Sequence, residues 1–184
     1  MPAAPANPAL TAGHVFIAAS MDGYIARRDG AIDFLDPYTE DHGYDAFMAG
    51  IDGVIMGRGT FEKVMTFPGW PFTKPVVVLT RSLGPGALTP ALAGKVRILG
   101  GPPREVMRDL RADGWHNAYV DGGQIIQSFL RDGLIADLIV TRVPILLGDG
   151  IPLFGPLAGD VALRHVATKA FASGLVQSKY EVQN

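Results

Sequence analysis

Apolar and polar positions along the chain change period repeatedly, and each change marks an element. His14-Val15-Phe16-Ile17-Ala18-Ala19-Ser20 is a short apolar run closed by Met21-Asp22-Gly23-Tyr24, the pattern of a buried strand entering a tight turn. Asp22 and Gly23 carry the turn chemistry. Tyr44, Phe47, Met48 and Ile51 then recur at i, i+3, i+4 and i+7, which is one face of a helix that Gly50 or Gly53 ends. Val54-Ile55-Met56 reads as a second strand and Gly57-Arg58-Gly59-Thr60 as a loop. Phe61, Val64 and Met65 form the inner face of a short helix, with Thr60 placed to cap it. Val76-Val77-Val78-Leu79 predicts a third strand and Val96-Arg97-Ile98-Leu99 a weaker fourth, joined by a Gly/Pro-rich connection over residues 83–94.

Pro102 and Pro103 suit a first helical turn, and Val106, Met107 and Leu110 continue on one face until Gly114. Ala118-Tyr119-Val120 is the next strand. It runs into Asp121-Gly122-Gly123, after which Ile125, Ile126, Phe129 and Leu130 mark a helix ending near Gly133. Residues 135–147 are almost continuously apolar with Pro144 among them, so a buried strand there bends or meets an edge at the proline. Two strand-like runs, 161–171 and 175–182, flank Ser173-Gly174, a hairpin turn. Strands alternating with helices, followed by an antiparallel hairpin, describe an α/β fold with a mixed sheet. No repeat or linker divides it. A single domain over residues 13–184 follows a loose tail, rich in Ala and Pro, over residues 1–12.

The 184 residues are enough for one full core and leave no room for a second catalytic domain. Sixteen basic and eighteen acidic residues are dispersed rather than gathered in blocks, which argues against nucleic acid or anionic lipid as a partner. Any cation that holds a phosphate acts locally. The chain has no cysteine, so disulfides, thiolate metal sites and cysteine nucleophiles are excluded, and a cytoplasmic setting fits. No stretch approaches the roughly 20 apolar residues of a membrane helix.

The strongest chemical signal is a pair of glycine turns that link a strand to a helix. Such turns aim backbone N–H groups and a helix dipole at one point, where anions bind. Gly57-Arg58-Gly59-Thr60 adds a guanidinium and a hydroxyl, while Gly122-Gly123 removes side chains so that a pyrophosphate can approach the backbone. The alternative for either turn alone is that its glycines only cap a helix. Thr80-Arg81-Ser82 follows the third strand and offers a ribose phosphate an arginine and two hydroxyls, or else forms a solvated loop. All three follow strands and gather on one sheet edge. No Gly-x-Gly-x-x-Gly, Walker lysine or Gly-x-Ser-x-Gly elbow is present, and the histidines at 14, 42, 116 and 165 lack metal-ligand spacing.

Ser20 through Ala26, Val54 through Glu62 and Val78-Leu79-Thr80-Arg81 resemble successive signatures of the dihydrofolate-reductase-like superfamily. Val120 through Gln124 and Pro144 through Phe154 are similar to its RibD C-terminal reductase branch, including stand-alone members. The resemblance implies a mixed sheet of about eight strands flanked by helices, NADPH across the strand ends, and a homodimer. It assigns Gly57, Arg58, Thr60, Thr80, Arg81 and Ser82 to the adenosine-side phosphate. Gly122 and Gly123, with Gln124 and Ile125 at the helix start, go to the diphosphate, and Ala18 and Ala19 to the nicotinamide border. On the substrate side it points to Asp22, and to Asp41, or its neighbour Glu40, as the carboxylate that polarises a pterin, the alternative for Asp41 being a surface helix cap; Trp70, in the Pro-rich loop over residues 67–72, either walls a heterocycle pocket or anchors packing. The activity implied is NADPH-dependent hydride transfer to a planar heterocycle of the pterin or ribosylaminopyrimidine kind. A nucleotide-binding module without turnover, or a flavin-binding protein, is the alternative. Relatives carry paired acids where this chain has Ile135-Ala136-Asp137-Leu138, so substrate recognition is not inherited unchanged.

Overall fold

Three adjacent strands of this chain, Gly53–Gly57, Val76–Leu79 and Asn117–Asp121, are buried on both faces, and the fold follows from covering them. The structure is a computed structural model and describes residues 9–84, 86 and 88–183. The strands are β1 (Ala12–Ser20), β2 (Tyr24–Ala26), β3 (Gly53–Gly57), β4 (Val76–Leu79), β5 (Val96–Leu99), β6 (Asn117–Asp121), β7 (Ile135–Val143), β8 (Ile151–Pro152), β9 (Ala162–Ala170) and β10 (Val176–Gln183). The helices are α1 (Tyr44–Ala49), α2 (Arg58–Val64), α3 (Pro103–Ala112) and α4 (Gly123–Arg131). Eight strands form one sheet in the order β5-β4-β3-β6-β1-β7-β10-β9, while β2 and β8 make a separate antiparallel pair. Pairing is parallel from β5 to β7, and β10 is antiparallel to both β7 and β9. This is a mixed α/β fold of the dihydrofolate-reductase-like kind.

Successive strand residues point to opposite faces. Ile55, Val77, Ala118 and Val120 therefore join one core with Met107 and Leu110 of α3 and with Ile126 and Phe129 of α4. Val54, Met56, Val76, Val78 and Tyr119 join a second core with Phe61 of α2. A long apolar run needs this two-sided cover, which explains why β3 and β4 carry the unbroken apolar runs Val54-Ile55-Met56 and Val76-Val77-Val78-Leu79.

Several boundaries differ from the sequence expectation. Of the expected tail 1–12, residues 1–8 lie outside the described residues. Thr11 is buried, donating through its hydroxyl to the Trp115 carbonyl at 2.9 Å, and Ala12 already belongs to β1. Helix α2 starts at Arg58 on Gly57, so Thr60 is not its cap but lies in its first turn. Gly50 ends α1. Gly53 instead opens β3 against the Trp115 ring, where a side chain would collide with the indole. The long apolar run stops as a strand at Val143, because Pro144 cannot continue the ladder. Among the described residues, no helix is long and apolar enough to cross a membrane.

Candidate functional site

Register brings the turns together. Gly57 pairs with Leu79, and Met56 pairs with Asp121, so β3, β4 and β6 all end at one edge of the sheet. There a cleft of about 1050 Å³ is lined by residues 57–60, 80–82 and 121–125, with Phe16, Ile17 and Ala18 of β1 along one wall. All three glycine or hydroxyl turns singled out from sequence thus meet in one concavity.

The turns are also built against one another. The Arg58 guanidinium donates to the Ser82 hydroxyl at 3.1 Å and lies 3.2 Å from the Glu62 carboxylate. Ser82 donates its backbone N–H to the Thr80 hydroxyl at 3.2 Å. Gly122 caps α4 with φ at +95°, a conformation that favours glycine. Its missing side chain leaves space that the Thr60 hydroxyl occupies. At Gly123 a Cβ would fall 2.6 Å from the Pro152 carbonyl of β8. The glycine pair is therefore required by neighbouring chain as well as by any approach to a pyrophosphate.

Ala18 lines the cleft, but Ala19 points the other way and is buried in the core. Trp70 does not line it either. Its ring packs on Phe61 and Phe72, with centroids 6.4 and 5.5 Å away, and Phe72 is the residue that reaches the cavity. Asp22 is a clamp: its carboxylate accepts from the Ser20 hydroxyl at 2.6 Å, from the Gly148 N–H at 2.7 Å and from the Leu147 N–H at 3.1 Å. These bonds, the Ser20 one first, hold its carboxyl below the usual range. Asp41 is exposed, accepts from the Gly43 N–H at 2.8 Å and lines neither cavity. Glu40 is likewise engaged away from the cleft, taking the Ser173 hydroxyl at 2.7 Å.

The cleft does contain two acids: Glu62, which is paired with Arg58, and Asp121. The notable one is Asp121. Burial pushes its carboxyl up to about 6, against the Tyr119 hydroxyl and the Gly122 N–H, which favour the anion. Tyr119 itself is driven well above the phenol range by burial and by the neighbouring Asp121 charge. Tyr44, whose ring packs edge-on against Tyr119 with centroids 6.3 Å apart, is pushed up to about 12, again by burial first and Asp121 second. Sequence reasoning treated Asp121 only as a turn residue. The available signal was an acid as the last residue of a buried strand, directly before a glycine pair.

A smaller cavity of about 250 Å³ shares Phe16, Ala18 and Leu35 with the cleft and is walled further by Tyr38, His42 and Thr141. His42 Nε2 makes no hydrogen bond, and the nearest Glu40 oxygen is 3.8 Å away. Gln177 donates to both the His42 carbonyl, at 3.1 Å, and the Thr141 hydroxyl, at 3.0 Å.

Comparison with known proteins agrees with this layout. The family model of the RibD C-terminal domain matches residues 13–177. The Bacillus subtilis (strain 168) protein YwjB, itself uncharacterized, is 35% identical over 88% of this chain and 92% of its own length. A solved structure from Shewanella sp. PV-4, named for riboflavin biosynthesis, superposes with a TM-score of 0.89 at 37% identity, covering 95% of this chain and 100% of the other. The dihydrofolate reductase of Enterococcus faecalis, solved in complex with NADP(H), shares the fold with a TM-score of 0.65 at 16% identity, over 94% and 97% of the two chains.

Proposed function

Because this chain belongs to the RibD C-terminal domain family, we propose that it is an NADPH-dependent reductase that acts on a planar heterocycle. The observation that carries the reading is the meeting of three phosphate-suited turns in one strand-end cleft, with Arg58 tied to Ser82 across two of them. The residues present fit a dinucleotide: its adenosine-side phosphate would lie among Arg58, Thr80, Arg81 and Ser82, and its diphosphate at the start of α4. Phe16 and Ala18 form the flat wall beside which a nicotinamide would rest.

When bound, the cofactor supplies a hydride. The chain supplies position and a proton. Ala18 is small enough to let two rings meet face to face over β1, the closeness that hydride transfer requires. Asp121, with its carboxyl near 6, keeps a protonated fraction close to neutral pH and stands at the cleft wall as the group that holds that proton. The test is steady NADPH oxidation, followed at the nicotinamide absorbance, against pterins, aminopyrimidines, flavins and quinones. Turnover with a pterin or aminopyrimidine supports the reading, and NADPH oxidation with none of them opposes it.

A further inference from the structure

Arg58 and Glu62 stand in an order that does not serve the helix they belong to. Arg58 is the first residue of α2, where a cation opposes the helix dipole, and the acid follows it at i+4, the weaker of the two orientations for such a pair. The two side chains are 52% and 56% exposed, so their pairing adds little to the stability of the fold. Its position is the informative property. Both residues line the cleft, together with Thr80, Arg81 and Ser82. The guanidinium is shared there between two partners: Nη1 donates to the Ser82 hydroxyl at 3.1 Å, and Nε lies 3.2 Å from Glu62 Oε1. A carboxylate thus sits on Nε, one half of the side-on fork that an arginine offers to a phosphate. Arg81 differs. Among the described residues it has no hydrogen-bond or ion-pair partner.

From this arrangement we infer that Glu62 is a specificity-determining residue that holds down the preference of the cleft for NADPH over NADH. The inference rests on the NADPH reading and deepens it. A 2′-phosphate seated on Arg58 shares the guanidinium with a second anion, and two like charges on one cation repel. Arg58 and Arg81 attract the phosphate, while Glu62 opposes it. NADH brings no such charge. Its ribose carries a free 2′-hydroxyl, a donor that a carboxylate can accept, as acids in other dinucleotide sites do. Glu62 therefore lowers the affinity for NADPH without lowering that for NADH, and the ratio of the two depends on its charge.

The experiment titrates NADPH and NADH separately into the full chain and into Glu62→Gln, which removes the charge but keeps an oxygen to accept from Nε. NADPH should bind the variant about threefold to fivefold more tightly, the scale of one exposed charge pair, while NADH binds no more tightly than before. The probes 2′-AMP and 5′-AMP, which present the adenosine end alone, should diverge in the same way. Urea midpoints of the two proteins should coincide, because the fold loses only an exposed pair. A structural role for Glu62 would instead move the midpoint and both cofactors together. NADPH affinity that is unchanged or weaker in Glu62→Gln, or a gain shared equally by NADH, overturns the inference. Where the unaltered chain binds NADPH and the variant shows no wider ratio, only the role of Glu62 falls. Where the unaltered chain binds no NADPH, the reductase reading falls and this inference falls with it.

Discussion

The Thr60 hydroxyl fills the space that a side chain on Gly122 would need, locking the first turn of α2 against the residue that caps α4. Gly122 also holds φ at +95°. Gly122→Ala therefore meets both a strained backbone and a steric conflict, and should lose about 1–3 kcal/mol of stability. Adding Thr60→Ala removes the conflict but not the strain, so the double variant should recover part of the loss. Denaturant midpoints of the two single variants and the double variant measure the coupling. Simple additivity would mean that the two turns are not mutually braced.

Arg58 should set cofactor preference. Its guanidinium, tied to Ser82, is the cation that joins the first two turns, and a charge-assisted hydrogen bond contributes roughly 1.5–3 kcal/mol. Arg58→Ala should thus weaken NADPH binding by about tenfold or more while changing NADH binding much less. Equal losses for both cofactors would place Arg58 away from the 2′-phosphate.

A pH effect is expected at the opposite end of the sheet. His14 Nδ1 lies 3.0 Å from Asp137, and Nε2 lies 3.1 Å from the Asn117 side-chain oxygen. Burial alone would lower its pKa, but the Asp137 hydrogen bond and charge, helped by Asn117, outweigh burial and raise it above 6.5. A group whose folded pKa is raised contributes stability in full below its unfolded value, and that contribution fades as pH rises through the folded one. The protein should therefore lose stability as pH climbs past 6.5, and His14→Gln should flatten that decline. Parallel pH curves for the two proteins, from thermal melts, would contradict this. The same pair shows why one of the two acids expected near residue 137 is retained here: Asp137 serves His14 across 123 residues of sequence.

Association is a further expectation. In the segment after β7, Leu153 turns into the core and Ile145 packs beside Phe34, yet Leu146 is 74% exposed and Phe154 is 45% exposed. Two large apolar side chains presented so openly suit a partner surface, and a second copy of the chain is the partner proposed. Light scattering at micromolar concentration should give a dimer, and Phe154→Glu should shift it toward monomer. A monomeric parent would remove the proposal.

Much of this fold was legible because its signals are local. Apolar runs such as Val76–Leu79, the i, i+3, i+4 faces of α3 and α4, and the Ser173-Gly174 turn each carry their own pattern. The turns lining the cleft were legible for the same reason, since each follows a strand directly. What sequence did not show depends on contacts between distant residues. The β2–β8 pair is three residues against two and has no periodicity to read. Asp22 was assigned to the substrate side, but its partners, Leu147 and Gly148, lie 125 and 126 residues away. Asp121 became conspicuous only when folding buried it in the cleft wall beside Tyr119, against which Tyr44 packs.

The central claim is that this cleft holds NADPH through its 2′-phosphate, and parallel titrations of the purified chain with NADPH and NADH test it most directly. The account predicts saturable binding of NADPH at one site per chain, at least about tenfold tighter than NADH. Equal affinities for the two cofactors, or no binding of NADPH, would contradict it.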